Sequence, residues 1–418
     1  MSGYRCIACA AVQPADFDGF LCPSCGGNLD IRYDYEAIAR DLAKGFDAGA
    51  SGIFRYRALL PITEPEPAFP LRIGATPLYR SERLGQSAGL NSVYLKDDSL
   101  NPSASLKDRA NVVALCRALD TGAGVVATAS TGNAGSSMAC LAGAMGLEAV
   151  VFVPESAPAA KLAQLRSYGA RVLAVRGNYD AAYDLCLAAT KAFGWYNRST
   201  GYNPITREGK KTCAFEIWEN LGRSVPDRVV VPTGDGNIIS GIWKGWRDLH
   251  TVGLVDRLPK IDCAQSVQSA AVCQTVHRLR ASGQTVEDWS QLRIDEVEAV
   301  SSADSICVDR PRDGLAAVRA VMESGGEAIT VEEDEISVAA YEMARLAGVF
   351  PEPAAAVPWA AAKRMADAGV IDKDESVVCL VTGSGLKDSA GASRIAPEPV
   401  VIEADLEAVE RAVAGRWQ

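Results

Sequence analysis

Histidine is almost missing from this chain: His250 and His277 are the two among 418 residues, and neither sits in a chemically suggestive context. Acid–base work near neutral pH must therefore rest on other side chains, and lysine is the obvious candidate. Positive charge is also in deficit. Lys and Arg number 42 against 52 Asp and Glu, for a net charge of −10, which argues against general binding of nucleic acid or of an anionic membrane surface. No apolar run is long enough to span a bilayer, and no apolar segment of a secretory signal opens the chain. The glycine-rich loops have neither the Lys-Ser/Thr ending of a P-loop nor the G-x-G-x-x-G spacing of a dinucleotide site. These absences leave a cytoplasmic protein that acts on a small molecule, with no nucleic-acid or membrane partner.

Cysteine, by contrast, is plentiful. Four of the twelve form two C-x-x-C knuckles, Cys6/Cys9 and Cys22/Cys25, separated by twelve residues, with Gly26-Gly27 supplying a sharp turn after the second. Two such knuckles place four thiolates where a tetrahedral ion wants them, so residues 1–30 read as a zinc ribbon. No further polar group suggests an open coordination position, and the metal would be structural. The other eight cysteines are scattered through apolar-periodic segments, where a reduced thiol behaves as a small hydrophobe. A reducing compartment fits this distribution better than a disulfide framework.

Residues 61–77 are proline-rich and read as an extended arm. From about residue 93 strands and helices alternate. SVYLK, GVVATAS, EAVVFV, RVLAV, DRVVVP and SVVCLV read as strands. Helical spacing runs through 105–119, 136–146, 158–169, 179–194 and 240–249. Strand–loop–helix repeated this often means an α/β fold with a largely parallel sheet covered on both faces. The expected division is a ribbon (1–30), an arm and the start of a large subdomain (31–92), a small subdomain (93–200) and a large cofactor-binding subdomain (201–418). The segment EADLEAVERAVAGRW near the end reads as one amphipathic helix suited to docking or dimer formation. No separate regulatory domain is apparent after residue 390.

In such sheets function gathers at loops beyond the carboxyl ends of the strands, and four loops there carry chemistry. NPSASLKDRA (101–110) places Lys107 among small residues as a helix begins. PTGDGNIISG (232–241) follows a strand and opens a helix, so its backbone N–H groups make an anion cradle suited to a phosphate. Asp235 is awkward there unless its carboxylate turns away or caps a neighbouring N–H. STGNAG (130–135) offers hydroxyls and N–H groups for a carboxylate, or else a plain capped helix start. TGSG (382–385) leaves the Thr382 hydroxyl at the edge of a very apolar strand. A reactive amine, a phosphate cradle, a carboxylate loop and a lone hydroxyl together describe a site for pyridoxal phosphate.

The segment NPSASLKDRA resembles the cofactor-lysine segment of the threonine synthase family, among the tryptophan-synthase-β-like, fold type II pyridoxal-phosphate enzymes. The resemblance continues through ASTGNAGSS, KLAQLRSYGA, NPITREGKKTCAFEI, VPTGDGNIISGIWKG, VFPEPAAA and LVTGSGLKD, in the family's order, from residue 70 to 390. Some members carry a similar four-cysteine knuckle in front, and homodimers are the family habit. The resemblance implies a two-subdomain fold and a role for each loop. Lys107 would hold the cofactor and shuttle protons. Asn133 would contact the ring's 3-oxygen, with Ser130, Thr131 and Gly132 receiving the substrate carboxylate. The turn Gly234, Asp235, Gly236, Asn237, Ile238 would hold the cofactor phosphate, and Thr382 would hydrogen-bond the pyridine nitrogen.

Threonine synthase eliminates phosphate from O-phosphohomoserine and adds water, so the substrate phosphate needs its own polar cluster. The family often reads N-P-x-R-x-x-G-Q-K-T in the segment supplying part of it. Here Thr206 stands in the arginine's place, Arg207 is displaced by one, and Lys210 replaces the glutamine. Arg207 and Lys210 are the candidates to rebuild the site, although a one-residue shift on a helix turns a side chain by about a quarter of a circle. The alternative is a sister reaction: β-replacement on O-phosphoserine, as in cysteate synthases, or elimination from a hydroxy- or diamino acid. Three further features have bland readings. Trp243 and Trp246 read as core, and Lys161 with Arg166 as a solvated helix face; Glu352-Pro353 matches a family segment near the cofactor ring, and a plain helix start explains it equally well.

Overall fold

The computed structural model describes residues 1–42, 45–62, 70–283, 288–388, 396 and 398–414, and of 159–161 the backbone alone. At the N-terminus β1 (Gly3–Cys6) lies between β2 (Val12–Gln13) and β3 (Leu29–Arg32), antiparallel to both. A short helix α1 (Tyr35–Asp41) follows. The body then runs through β4 (Leu78–Arg80), α2 (Glu82–Gln86), β5 (Ser92–Asp97), α3 (Lys107–Asp120), β6 (Val125–Ala129), α4 (Asn133–Met145), β7 (Glu148–Pro154), α5 (Ala159–Ser167), β8 (Arg171–Val175), α6 (Tyr179–Phe193) and β9 (Tyr196–Asn197). It continues with α7 (Ile205–Asn220), β10 (Arg228–Pro232), α8 (Asn237–Thr251), β11 (Lys260–Ser266), α9 (Ala271–Ser282), α10 (Gly314–Ser324), β12 (Ala328–Val331), α11 (Glu333–Glu342), α12 (Pro353–Asp367), β13 (Ser376–Val381) and α13 (Leu406–Ala414).

Two further sheets result. One has the order β12-β11-β10-β13-β5-β4, parallel except for the edge strand β4; the other is wholly parallel, β8-β7-β6-β9. β10 (RVVVP) is buried throughout and β13 (SVVCLV) nearly so, as apolar strands covered on both faces require. The smaller sheet lies inside the 93–200 segment, but β5 at the head of that segment pairs with β13 and belongs to the larger sheet. A short apolar strand carries no local signal of which sheet will take it.

The core explains several bland readings. Helix α7 is buried from Ile205 to Trp218, packed between α3 and α8. Trp246 and Trp243 are buried in the same layer. Six of the eight scattered cysteines are buried and the other two half-buried, all as free thiols. Arg166 is exposed, as expected of a solvated helix face; the Lys161 side chain lies outside the described residues, as do 63–69 of the proline-rich arm. The last helix is present, with Leu406, Val409 and Val413 exposed along it, and residues 415–417 of the expected helix lie outside the described residues. Among the described residues no helix is long and apolar enough to cross a membrane.

Candidate active site

Lys107 is the first residue of α3, and everything around it fixes where that helix starts. Ala104 just before it adopts a left-handed backbone (φ 60°). The loop is stapled to the end of β13: Leu106 N donates to Thr382 O at 2.9 Å, and Ser384 N to Ala104 O at 3.2 Å. Asp108 accepts from both the amide and the hydroxyl of Ser103. One residue on, Arg109 is fully buried, with Nε 2.7 Å from Asp98 and Nη2 2.6 Å from Glu216. Lys96 also pairs with Glu216, at 2.7 Å. A paired network of this kind locks β5, α3 and α7 together, because removing one member would strand a buried charge.

Lys107 is half-buried as a residue, with its amine at the inner end. Burial draws its pKa down to about 8; Glu352 and Asp235 pull it upward, and Arg198 adds to the depression. The side chain is therefore poised to lose its proton near neutral pH, as a nucleophile or base must.

Asn133 opens α4 at the carboxyl end of β6, yet its partners come from the other sheet. Its Nδ2 donates to both oxygens of Glu352, at 2.9 and 3.0 Å, and to Ser305 Oγ at 3.3 Å. Its Oδ1 accepts from Lys387 Nζ at 2.9 Å. Glu352 is itself buried against Gly383, where any added Cβ would lie 2.4 Å from the Glu352 carboxyl carbon. Burial lifts the Glu352 pKa. The Thr382–Gly383 strand end, Lys107 and Asn133 thus meet around one carboxylate. The loop ahead of α4 is more open: Ser130 and Thr131 are half-buried, and a Cβ on Gly132 would meet nothing within 4 Å.

The glycine turn after β10 is built for close backbone approach. A Cβ on Gly234 would lie 2.7 Å from Ile306 Cα, and one on Gly236 (φ 92°) would lie 2.6 Å from Asp313 O. The first amides of α8 have no carbonyl ahead of them in the helix and face the turn. Asp235 turns its Oδ1 to the Arg312 amide at 2.8 Å, the capping geometry a carboxylate beside an anion cradle needs; burial lifts its pKa to about 6. Lys210 is fully buried and donates to Asn237 Oδ1. Burial holds its pKa well below the ordinary lysine value, with Lys107 and Arg198 reinforcing the shift. Ile238 is buried behind the turn.

Two expected residues separate here. Lys210 reaches the turn, whereas Arg207 points elsewhere. The Arg207 guanidinium meets both oxygens of Asp313, at 2.6 and 2.8 Å, Ser240 Oγ at 3.1 Å, Leu29 O at 3.1 Å and Asp30 at 3.3 Å. Its five N–H donors are all committed to protein partners, which leaves none for a substrate phosphate. Thr206, in the place of the family's arginine, bonds the Asn203 carbonyl at 2.8 Å.

Sequence reasoning missed two residues of this site and left a third undecided. Glu352 matched a family segment near the cofactor ring but read equally well as a helix start, Lys387 lay unremarked in LVTGSGLKD, and Arg198 lies in no motif at all. The Arg198 side chain is 1% exposed, and burial draws its pKa down to about 10.

Residues 70–383 match the family described as pyridoxal-phosphate dependent enzymes. A threonine synthase of Methanocaldococcus jannaschii is 37% identical over 97% of this chain and 98% of its own; one of Methanosarcina acetivorans is 35% identical over 99% and 98%. The chain belongs to the threonine synthase family of pyridoxal-phosphate-dependent enzymes. Among solved structures, threonine deaminase isoform 2 from Solanum lycopersicum (20% identity, TM-score 0.64, 77% of this chain and 88% of that one) and maize serine racemase (18%, 0.63, 81% and 91%) share the fold. The residues fit the family's cofactor on structural grounds. The Lys107 amine, of lowered pKa, feels the Asp235 charge of a turn that admits no Cβ at Gly234 or Gly236, and buried Lys210 donates to Asn237 of that turn.

The ribbon also fits its ion. The Sγ atoms of Cys6, Cys9, Cys22 and Cys25 all lie within 4.8 Å of one another, and the Cys9 amide donates to Cys6 Sγ at 3.5 Å. Four thiols this close, with no disulfide between them, form a donor set suited to tetrahedral zinc.

Proposed function

We propose that this enzyme eliminates phosphate from O-phosphohomoserine and adds water to give threonine. The observation that carries the reading is Lys107, at the start of α3 with its pKa drawn to about 8 and sensitive to the Asp235 charge of the glycine turn, in a chain similar to threonine synthases over almost its whole length. When bound, pyridoxal phosphate withdraws electrons from the substrate's α-carbon and makes protons on neighbouring carbons labile. Lys107 holds the cofactor, then takes and returns protons at the substrate carbons. The amides of 234–238 hold the cofactor phosphate, with Lys210 steadying the turn through its hydrogen bond to Asn237. Asn133, fixed by Glu352 and Lys387, orients the ring through its 3-oxygen. Thr382 meets the pyridine nitrogen with a neutral hydroxyl, which tempers electron withdrawal and suits elimination better than transamination. Ser130, Thr131 and Gly132 receive the substrate carboxylate in the space left open at Gly132.

The four cysteines hold one structural zinc. The enzyme works in the cytoplasm as a homodimer, a reading supported by reduced cysteines throughout and by the uncovered apolar side chains of Leu406 and Val413.

Phosphate release from O-phosphohomoserine and from O-phosphoserine, measured in parallel on the cofactor-loaded enzyme with Lys107→Ala as blank, tests the reaction. Release from O-phosphohomoserine with threonine as product is the expected outcome. Release from O-phosphoserine alone would move the enzyme to β-chemistry, a reading that the commitment of Arg207 to Asp313 keeps in view.

A further inference from the structure

The proposed reaction leaves the departing phosphate without a holder, since Arg207 has no free donor and Lys210 lies beside the glycine turn. We propose that Arg198, with the hydroxyls of Ser199 and Thr200, forms a second anion site that receives the side-chain phosphate of the substrate. The identity of that ligand rests on the reaction proposed above; the site itself rests on unpaired donors.

Among the described residues three buried atoms, Nε and Nη2 of Arg198 and Oγ1 of Thr200, lack a hydrogen-bond partner, and Oγ of Ser199 between them has no stronger neighbour than the Cys186 thiol. The contrast with the other buried arginines among the described residues is sharp. Arg109 pairs with Asp98 and Glu216, Arg207 with Asp313, and Arg228 with Asp262 at 2.7 Å. Among the described residues Arg198 pairs with no carboxylate. A buried guanidinium with two idle nitrogens is costly unless something supplies acceptors, and native interiors leave few such groups. A dianionic phosphate supplies several acceptor oxygens and suits the planar fork of arginine better than a single carbonyl would.

The topology sets these donors in the right cleft. Strand β9 pairs in parallel with β6, Asn197 opposite Ala127, and Arg198 N donates to Ala127 O at 3.0 Å. Arg198 therefore leaves the sheet at the same carboxyl edge from which Ser130, Thr131 and Gly132 leave it. Its charge is close enough to depress the pKa of both Lys107 and Lys210. The arginine absent at position 206 is thus answered by one that arrives from a different strand, nearer the carboxylate loop.

Inorganic phosphate, titrated into the cofactor-loaded enzyme by calorimetry, tests the site independently of turnover. Wild type binds it, and Arg198→Gln weakens binding by about thirtyfold or more, the effect of removing a buried charged partner. The cofactor's visible absorbance is retained, and Arg198→Lys recovers part of the affinity. Unchanged phosphate affinity in Arg198→Gln overturns the proposal, as does a wild-type enzyme that binds no phosphate. Loss of cofactor from Arg198→Gln, with phosphate binding intact after reloading, assigns the arginine to the cofactor and overturns it too. Should Arg198→Gln not fold, the Ser199→Ala/Thr200→Val double variant carries the same test, with about tenfold weakening expected and none overturning the site. Arg198-dependent phosphate binding in an enzyme that releases nothing from O-phosphohomoserine supports the anion site while sinking the reaction.

Discussion

A lysine that must be neutral to work has its proton affinity set by the charges it faces, and Lys107 faces both signs. Its pKa comes down to about 8, chiefly through burial with Arg198 contributing to the fall, while Glu352 and Asp235 hold it up. Removing the Glu352 charge takes away a stabiliser of the ammonium form, so the pKa must fall. In the cofactor-free protein the rate of amine modification at Lys107, followed against pH by peptide mass spectrometry, should reach half its plateau near pH 8. Glu352→Gln should move that midpoint down. A midpoint near 10.5 in wild type, or an upward move in the variant, would refute this account of the site. At this scale the sequence was informative wherever chemistry travels in a local motif. The lysine among small residues, the glycine turn and the strand-end hydroxyl were all legible. Glu352 stayed undecided between a family segment near the cofactor ring and a plain helix start, because a helix-opening Glu-Pro has a sufficient local explanation; only the fold brings its carboxylate onto Asn133. Arg207 misled for the converse reason, since its partner Asp313 lies far along the chain.

At the scale of elements, glycine separates what packs from what binds. Helix α7 crosses α3 so closely at Gly209 that a Cβ there would sit 1.8 Å from Arg109 O. α3 carries Lys107 and α7 carries Lys210, so this crossing sets the spacing of the two amines. Gly132 is the opposite case, with open space where its Cβ would be. Gly209→Ala should therefore destabilise the enzyme by about 1–3 kcal/mol or more, the cost of overpacking, read as a lowered denaturant midpoint. Gly132→Ala should leave that midpoint within about 0.5 kcal/mol of wild type and raise KM, because the new methyl occupies the space assigned to the substrate carboxylate. Equal stability losses in the two variants, or an unchanged KM in Gly132→Ala, would contradict the distinction. Strand and helix positions were readable from periodicity to within a few residues, as with RVLAV, which forms β8 over the same five residues. The sheet that accepts each strand was not, because β5 and β6 are both short apolar strands and their partners are chosen by long-range pairing.

For the whole molecule, the N-terminal ribbon is a clamp on the segment that follows β9. Asn28 Nδ2 donates to Gly201 O at 2.6 Å, and the Phe20 ring meets Tyr196 and Tyr202 edge-on at 5.6 and 5.4 Å. Leu29 O and Asp30 accept from Arg207, and Ile31 O from Lys244 at 2.7 Å. The segment gripped from both ends, 196–207, contains Arg198, Ser199 and Thr200. The cofactor turn at 234–238 makes no such contact through Asn28 or Phe20. Ribbons this small have too little core to hold their shape without metal, so loss of zinc should loosen the substrate anion loop before it disturbs the cofactor. Metal analysis should find one zinc per chain. Its removal by chelation, or by the Cys9→Ser/Cys22→Ser double variant, should weaken phosphate binding and raise KM while the bound cofactor's absorbance persists. Cofactor loss ahead of any change in phosphate affinity would show that the ribbon supports the body of the enzyme generally, and not the 196–207 loop.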